Sequence, residues 1–284
     1  AFATPWRGIH AVQQRRMERQ IVTDADLIVF VTQGNLDAYA ERYPSAAHKM
    51  RVIPNGYDRD DFPRSTGRAP GGAAATGSAS DGAGEGPFRL VYTGSLFGER
   101  ELGVFLAGLE LLAGRRPDVK GRLEIEFVGW LNAHNRAIAA SYAHSDTIGS
   151  MLRFSGFLPR AEVVKRAADA DALLQLVADA PGKGQVQGGK LMEYLGYDRQ
   201  ILAVVPEGQA RDVLRELDWG IVADPTPEGV AGGLERLLSE PLPTGRADPE
   251  GRYDRVNLAG RLAGLLDDVP VRRRGGSGTE AGSS

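Results

Sequence analysis

The stretch "GKGQVQGGKLMEYLGYDRQILAVV" (182–205) decides how this chain folds. A glycine-rich turn gives way to a helix start at "KLMEYLGY" and then to a short apolar run, "QILAVV", that reads as a strand. A glycine turn lets backbone approach a ligand closely. The first amides of the helix it opens have no internal partner, so with the helix dipole they favour an anion, usually phosphate. Gly184 to Lys190 also spell G-x-x-x-x-G-K, the opening of a P-loop, but a P-loop needs Ser or Thr next as a magnesium ligand. The next residue is Leu191. A magnesium-dependent P-loop is therefore not expected, which leaves an anion site of another design or a tight loop. Glu193, read as lying in the first helical turn, suits either the diol of a ribose or compensation of the helix dipole.

The same strand–helix unit recurs in both directions from this stretch. "ADLIVFVT" (25–32) is a continuous apolar run, expected to be a strand covered on both faces. A helix follows at "GNLDAYAERY", then a strand, "MRVIPNGYD", stopped by Pro54 and the Asn55-Gly56 turn pair. "FRLVYTG", "LEIEFVGW", "LRFSGFL" and "ALLQLVA" read as further strands. Helices are expected where Leu102, Phe105, Leu109 and Leu112 recur, at "RAEVVKRAADA", at "GVAGGLERLLSE", and where Leu258, Leu262 and Leu265 share a face. Regular β/α alternation with apolar strands predicts an α/β fold with a Rossmann-like, doubly wound parallel sheet. "TDADLIVFVT" and "DADALLQLVA" echo one another, as two such domains of similar plan would.

Composition narrows the function. The chain has 284 residues with 42% hydrophobic content, enough to bury a sizeable core. A formal net charge of −3 argues against nucleic acid as a partner. The absence of cysteine excludes disulfides and thiolate metal sites and fits a reducing, cytoplasmic compartment. No apolar run approaches the roughly 20 residues that span a bilayer. The segment "RGIHAVQQRRMERQ" leaves peripheral contact with the inner face of a membrane open, although Gln13, Gln14 and Glu18 interrupt its charge and a solvated helix face is the better reading. No metal site is expected. The four His have no i,i+4 pairing, and the D-x-D of Asp169 and Asp171 reads as a helix-to-strand boundary.

Six segments in order, "RVIPNGYDRDDF", "LVYTGSLFGER", "FVGW", "FSGFLPRAEV", "KLMEYLGYDRQILAVV" and "WGIVADPTPEGVAGGLERLL", resemble the retaining glycosyltransferases of the GT-B fold, glycosyltransferase family 4. The resemblance implies the following organisation. Residues 1–63 are the end of an acceptor domain with the interdomain strand, and 64–87 a disordered Gly/Ala/Ser-rich linker. Residues 88–248 form the nucleotide-sugar domain, 249–268 a crossover helix that packs back on the N-terminal domain, and 269–284 a disordered tail. Because the chain starts at Ala1 and shows only the last helix and strand before residue 51, a preceding acceptor portion is expected.

The resemblance implies transfer of a sugar from a nucleoside-diphosphate sugar to a hydroxyl acceptor, with lipid-linked and saccharide acceptors both open. It implies retention at the anomeric carbon and neither a cofactor nor a metal. Carried over residue by residue, the diphosphate falls at Gly188, Gly189 and the following amides, the ribose at Glu193, and a further loop contact at Gly94 and Ser95. Arg100 and Lys190 are the candidate bases that neutralise phosphate, and the nucleobase lies against the backbone at Gly156, Phe157 and Leu158. One departure stands out. Many family members carry a glutamate that contacts the transferred sugar, and Gln185 occupies that position here; an amide bonds a hydroxyl but cannot stabilise positive charge as a carboxylate does. A non-catalytic nucleotide-binding protein of this fold and a nucleotide-sugar epimerase are the alternatives.

Overall fold

The computed structural model describes residues 9–62, 86–96, 102–177, 189–241 and 243–270. A small N-terminal unit holds helix α1 (Ile9–Asp24), strand β1 (Ile28–Phe30), helix α2 (Gln33–Arg42) and strand β2 (Met50–Val52), the two strands pairing in parallel. The larger unit alternates strand and helix: β3 (Phe88–Thr93), α3 (Leu102–Arg115), β4 (Leu123–Val128), α4 (Ala133–Ala143), β5 (Leu152–Gly156), α5 (Arg160–Ala168), β6 (Ala172–Leu176), α6 (Gly189–Gly196), β7 (Gln200–Val204), α7 (Gln209–Glu216), β8 (Ile221–Ala223) and α8 (Pro227–Ser239). Helix α9 (Arg255–Asp267) closes the described chain.

Six parallel strands lie in the order β5-β4-β3-β6-β7-β8. Counted within this unit, the order is 3-2-1-4-5-6, the Rossmann arrangement, with its switch point between β3 and β6. The strands are apolar because both faces are covered. Leu90, Phe127, Leu174 and Leu202 pack with α3 and α8 on one face, while Val91, Leu173, Ile201 and Ala203 pack with α5, α6 and α7 on the other. The alternating run "LEIEFV" has a polar residue on a covered face: Glu126 is 3% exposed. Its carboxylate accepts hydrogen bonds from Arg166 of α5, at 2.5 Å, and from the hydroxyl of Ser155. A buried charge persists only where it is paired in this way.

Two expectations need correction. The β1 run is not covered on both faces, because Val29 is 39% and Val31 40% exposed. In a two-stranded sheet only one face meets a core, here Val22, Ala46 and Met50 with the flank of α2. The leucine face of α9 is likewise only partly used: Leu258 is buried against Gly56, whereas Leu262 and Leu266 are exposed. Most of α1 is exposed, its arginines together with Val12, Met17 and Ile21. The segment 57–62 is tied to the start of α9 by paired backbone bonds, Tyr57 N to Tyr253 O (3.0 Å) and Arg255 N to Tyr57 O (2.9 Å). Below it, the Tyr57 hydroxyl donates to the buried Asp248 and accepts from Arg59. Burial, with the nearby Asp248 charge, pushes the phenol up to about 12.

The linker, apart from Gly86 and Pro87, lies outside the described residues, as does the tail from residue 271.

Helices α3 and α8 cover one face side by side and touch at Gly108, where a Cβ would come within 2.5 Å of Val230 Cβ and 2.7 Å of the Pro227 carbonyl. Gly114, on the same helix, faces open space. Gly108→Ala should therefore destabilise by about 1–3 kcal/mol through overpacking. Gly114→Ala should stabilise by up to about 1 kcal/mol through helix propensity. Chemical denaturation of both variants checks this, and equal shifts of one sign would contradict the α3–α8 contact.

Candidate functional site

Ligands of open α/β sheets bind beyond the carboxyl ends of the strands at the switch point. Here the loop after β3 and the helix after β6 meet there. Gly94 follows β3 at φ 107° and Gly129 follows β4 at φ 142°, conformations that side-chain-bearing residues rarely adopt. The parallel ladder continues past the strand ends: Gly94 N donates to Val128 O (2.7 Å) and Leu96 N to Trp130 O (2.9 Å). The two glycine backbones then lie in direct contact, since a Cβ on Gly129 would overlap the Gly94 carbonyl. Gly129 N donates in turn to Gly156 O (2.8 Å) at the end of β5. On the other side a Cβ on Gly94 would overlap the ammonium of Lys190, in the first turn of α6.

A continuous rim of backbone thus runs from the N-terminus of α6 through Gly94 and Gly129 to Gly156. It brings together Gly94, Ser95, Gly156, Phe157, Leu158, Gly189 and Lys190, which the sequence places far apart. Neighbouring strands stand about 4.8 Å apart, so the rim from β3 to β5 measures about 10 Å. Phe157 is 84% exposed and Leu158 tucks into the core beside α5. Gln185, Gly188 and Arg100 lie outside the described residues.

Lys190 sits in a defined cage. Its ammonium donates to the Thr93 carbonyl and lies 5.1 Å from the Tyr92 ring centroid and 5.8 Å from that of Tyr194. Carbonyl and rings attract a cation without cancelling its charge, so a positive charge stands beside Gly94. Tyr194 locks the helix from the other side: fully buried, its hydroxyl accepts from Thr93 N (2.9 Å) and Thr93 Oγ1 (3.3 Å). Burial, with little else, holds its phenol far above the usual range and therefore neutral.

Glu193 is half-buried. With α6 beginning at Gly189 it lies past the first turn, which holds no acidic residue, correcting the expectation above. The field of the helix terminus fades within that turn, so dipole compensation is a weak account of this carboxylate. The buried Tyr197 hydroxyl, which has no hydrogen-bond partner, has its pKa raised by burial and also by the Glu193 charge.

Sequence reasoning missed Gly129, Tyr194 and Asn135. The amide of Asn135 is buried and donates to Leu96 O (3.1 Å), binding the loop after β3 to α4. The D-x-D residues behave as a boundary. Asp169 caps α5, and the Asp171 carboxylate accepts the backbone N–H of Arg89 on β3 at 2.8 Å. Among the described residues no group of three His, Asp or Glu is placed to hold a metal ion, and no helix is long and apolar enough to cross a membrane.

No protein-family model and no curated protein sequence matches this chain. Solved structures do. Anabaena Alr3699/HepE in complex with UDP and glucose superposes with a TM-score of 0.61 at 16% identity, covering 90% of this chain and 67% of that one. The lipopolysaccharide outer core galactosyltransferase WaaB gives 0.61 at 16% identity, over 89% of this chain and 65% of that one. A UDP-forming α,α-trehalose-phosphate synthase from Burkholderia xenovorans gives 0.63 at 14% identity, over 93% and 67%. The chain spans about two thirds of the length of each. At such identities the likeness shows the fold, the Rossmann-like α/β plan of the GT-B glycosyltransferases.

Proposed function

We propose that this chain binds a nucleoside-diphosphate sugar and forms the donor side of a retaining glycosyltransferase of family 4, transferring the sugar to an acceptor hydroxyl without a metal ion. The observation that carries this reading is the backbone rim at the switch point, with a lysine charge at one end and exposed backbone at the other. The fold around it is shared with glycosyltransferases, one of them in complex with UDP and glucose.

In this reading the amides at Gly188, Gly189 and Lys190 receive the diphosphate, with the Lys190 ammonium adding charge close to Gly94. Gly94 and Ser95 approach the phosphates from β3, Glu193 accepts from the ribose diol, and the base lies over Gly156 to Leu158. Arg100 supplies further positive charge and Gln185 contacts the transferred sugar. The donor's leaving diphosphate, held by amides and a lysine, helps take the proton from the acceptor on the same face. The protein's share is then positioning and stabilisation of the departing charge. The acceptor is lipid-linked or a saccharide, and the location is cytoplasmic, with peripheral membrane contact through the basic helix α1.

Two measurements test this. Calorimetric titration with nucleoside diphosphates should give the same affinity in EDTA as in magnesium, because Leu191 offers no ligand where a P-loop has a hydroxyl. Loss of binding in EDTA, restored by magnesium, would contradict it. Glu193→Ala should weaken a ribonucleoside diphosphate by about 1.5–3 kcal/mol, the worth of a hydrogen bond to a charged group. A 2′,3′-dideoxy analogue, with no diol to lose, should change far less. Equal losses for the two ligands in this cycle would take Glu193 out of the site.

A further inference from the structure

At the β5 end of the rim lies a cavity of about 560 Å³ between α4 and the ends of β4 and β5. That volume falls within the roughly 300–1,000 Å³ typical of small-molecule sites. We propose that it receives the base of the bound nucleotide and that this base is a purine. The inference rests on the nucleotide reading above and adds the class of nucleotide.

Three features carry it. The first is aromatic surface. Phe127 and Phe154 lie nearly parallel (12°) with centroids 5.1 Å apart in the wall, while Trp130 and Phe157 also line the cavity at 48% and 84% exposure. Large rings left this open beside a cavity are surfaces for a flat partner, and every base presents a π-face to them.

The second is the scarcity of polar readers. Arg136 is the one charged side chain among the described residues lining the cavity. It is already engaged, donating to Leu131 O at 2.8 Å with its guanidinium 5.9 Å from the Trp130 ring centroid. A uracil brings two carbonyls and an N–H on one small ring, and polar edges buried without partners are costly. A bicyclic purine offers more ring area for the same walls, and recognition by stacking favours it.

The third is room. Helix α4 turns Ala139, Ala140 and Ala143 toward the cavity, so no long side chain fills the space a second ring needs.

The test is calorimetric titration of the protein with ADP, GDP, UDP and CDP. ADP and GDP should bind about tenfold more tightly than UDP and CDP, a step of the size base stacking supplies. Ala140→Leu, at an exposed helical position, narrows the cavity without disturbing the core. It should reduce the purine preference to less than about twofold, with the melting temperature of the unliganded protein as the check on folding. UDP or CDP binding as tightly as the purines would overturn the purine assignment and leave the nucleotide reading standing. So would an unchanged preference in a folded Ala140→Leu protein, since the cavity would not then hold the base. Failure of all four nucleotides to bind would overturn both.

Discussion

The contact of the Gly94 backbone with the Gly129 backbone is the constraint on which the rest of the ligand edge depends. Parallel strands normally diverge into separate loops once their ladder ends. Here the ladder is carried on to Leu96 and Leu131, and that is geometrically open only because neither glycine has a side chain to place in the gap. The consequence is a shallow, rigid floor of main chain in place of a crevice filled by side chains. Such a floor presents amides and carbonyls, which suits a ligand recognised along its length by backbone, and it leaves side-chain chemistry to the two ends.

The sheet and its helices were legible in the sequence because strands covered on both faces read as apolar runs, and these runs alternate with helical periods. The elements that escaped notice had weak versions of that signal. Strand β8 is three residues long, too short to show a period. Helix α7 buries Arg211, which reads as polar although its guanidinium is spent on the Val205 carbonyl and on Asp224. Helix α4 turns alanines rather than large side chains inward. Glu126 misleads in the other direction, since alternation suggests one solvated face where α5 and Arg166 cover it. The strand order was no more readable than any pairing between distant segments.

Within the site, glycines and the helix start were legible because their chemistry is local. The cavity under Trp130 was not, since it exists only where α4 and β5 meet. Tyr194 looked like one more apolar residue of a helix stripe. Its hydroxyl acts only against Thr93, on a strand distant in sequence.

Helix α6 is held from both ends, and this explains why so short a helix can serve as a binding element. Eight residues make barely two turns, too few for a helix to be stable by itself. At its start Lys190 and Tyr194 join it to the end of β3. At its end Gly196 lets the ring of Phe62 come against the helix, and Phe62 meets Tyr197 edge-on at 4.7 Å. Phe62 belongs to the segment that Tyr57 and Arg59 anchor to the chain around Asp248 and Asp254, with Asp198 just beyond α6 also facing Arg59. The position of the helix amides is therefore set jointly by β3 and by the segment that runs from the N-terminal unit into the sheet. A displacement of that segment would reach the amides through one aromatic contact, and what couples the two units is packing against α6 rather than any residue of the rim.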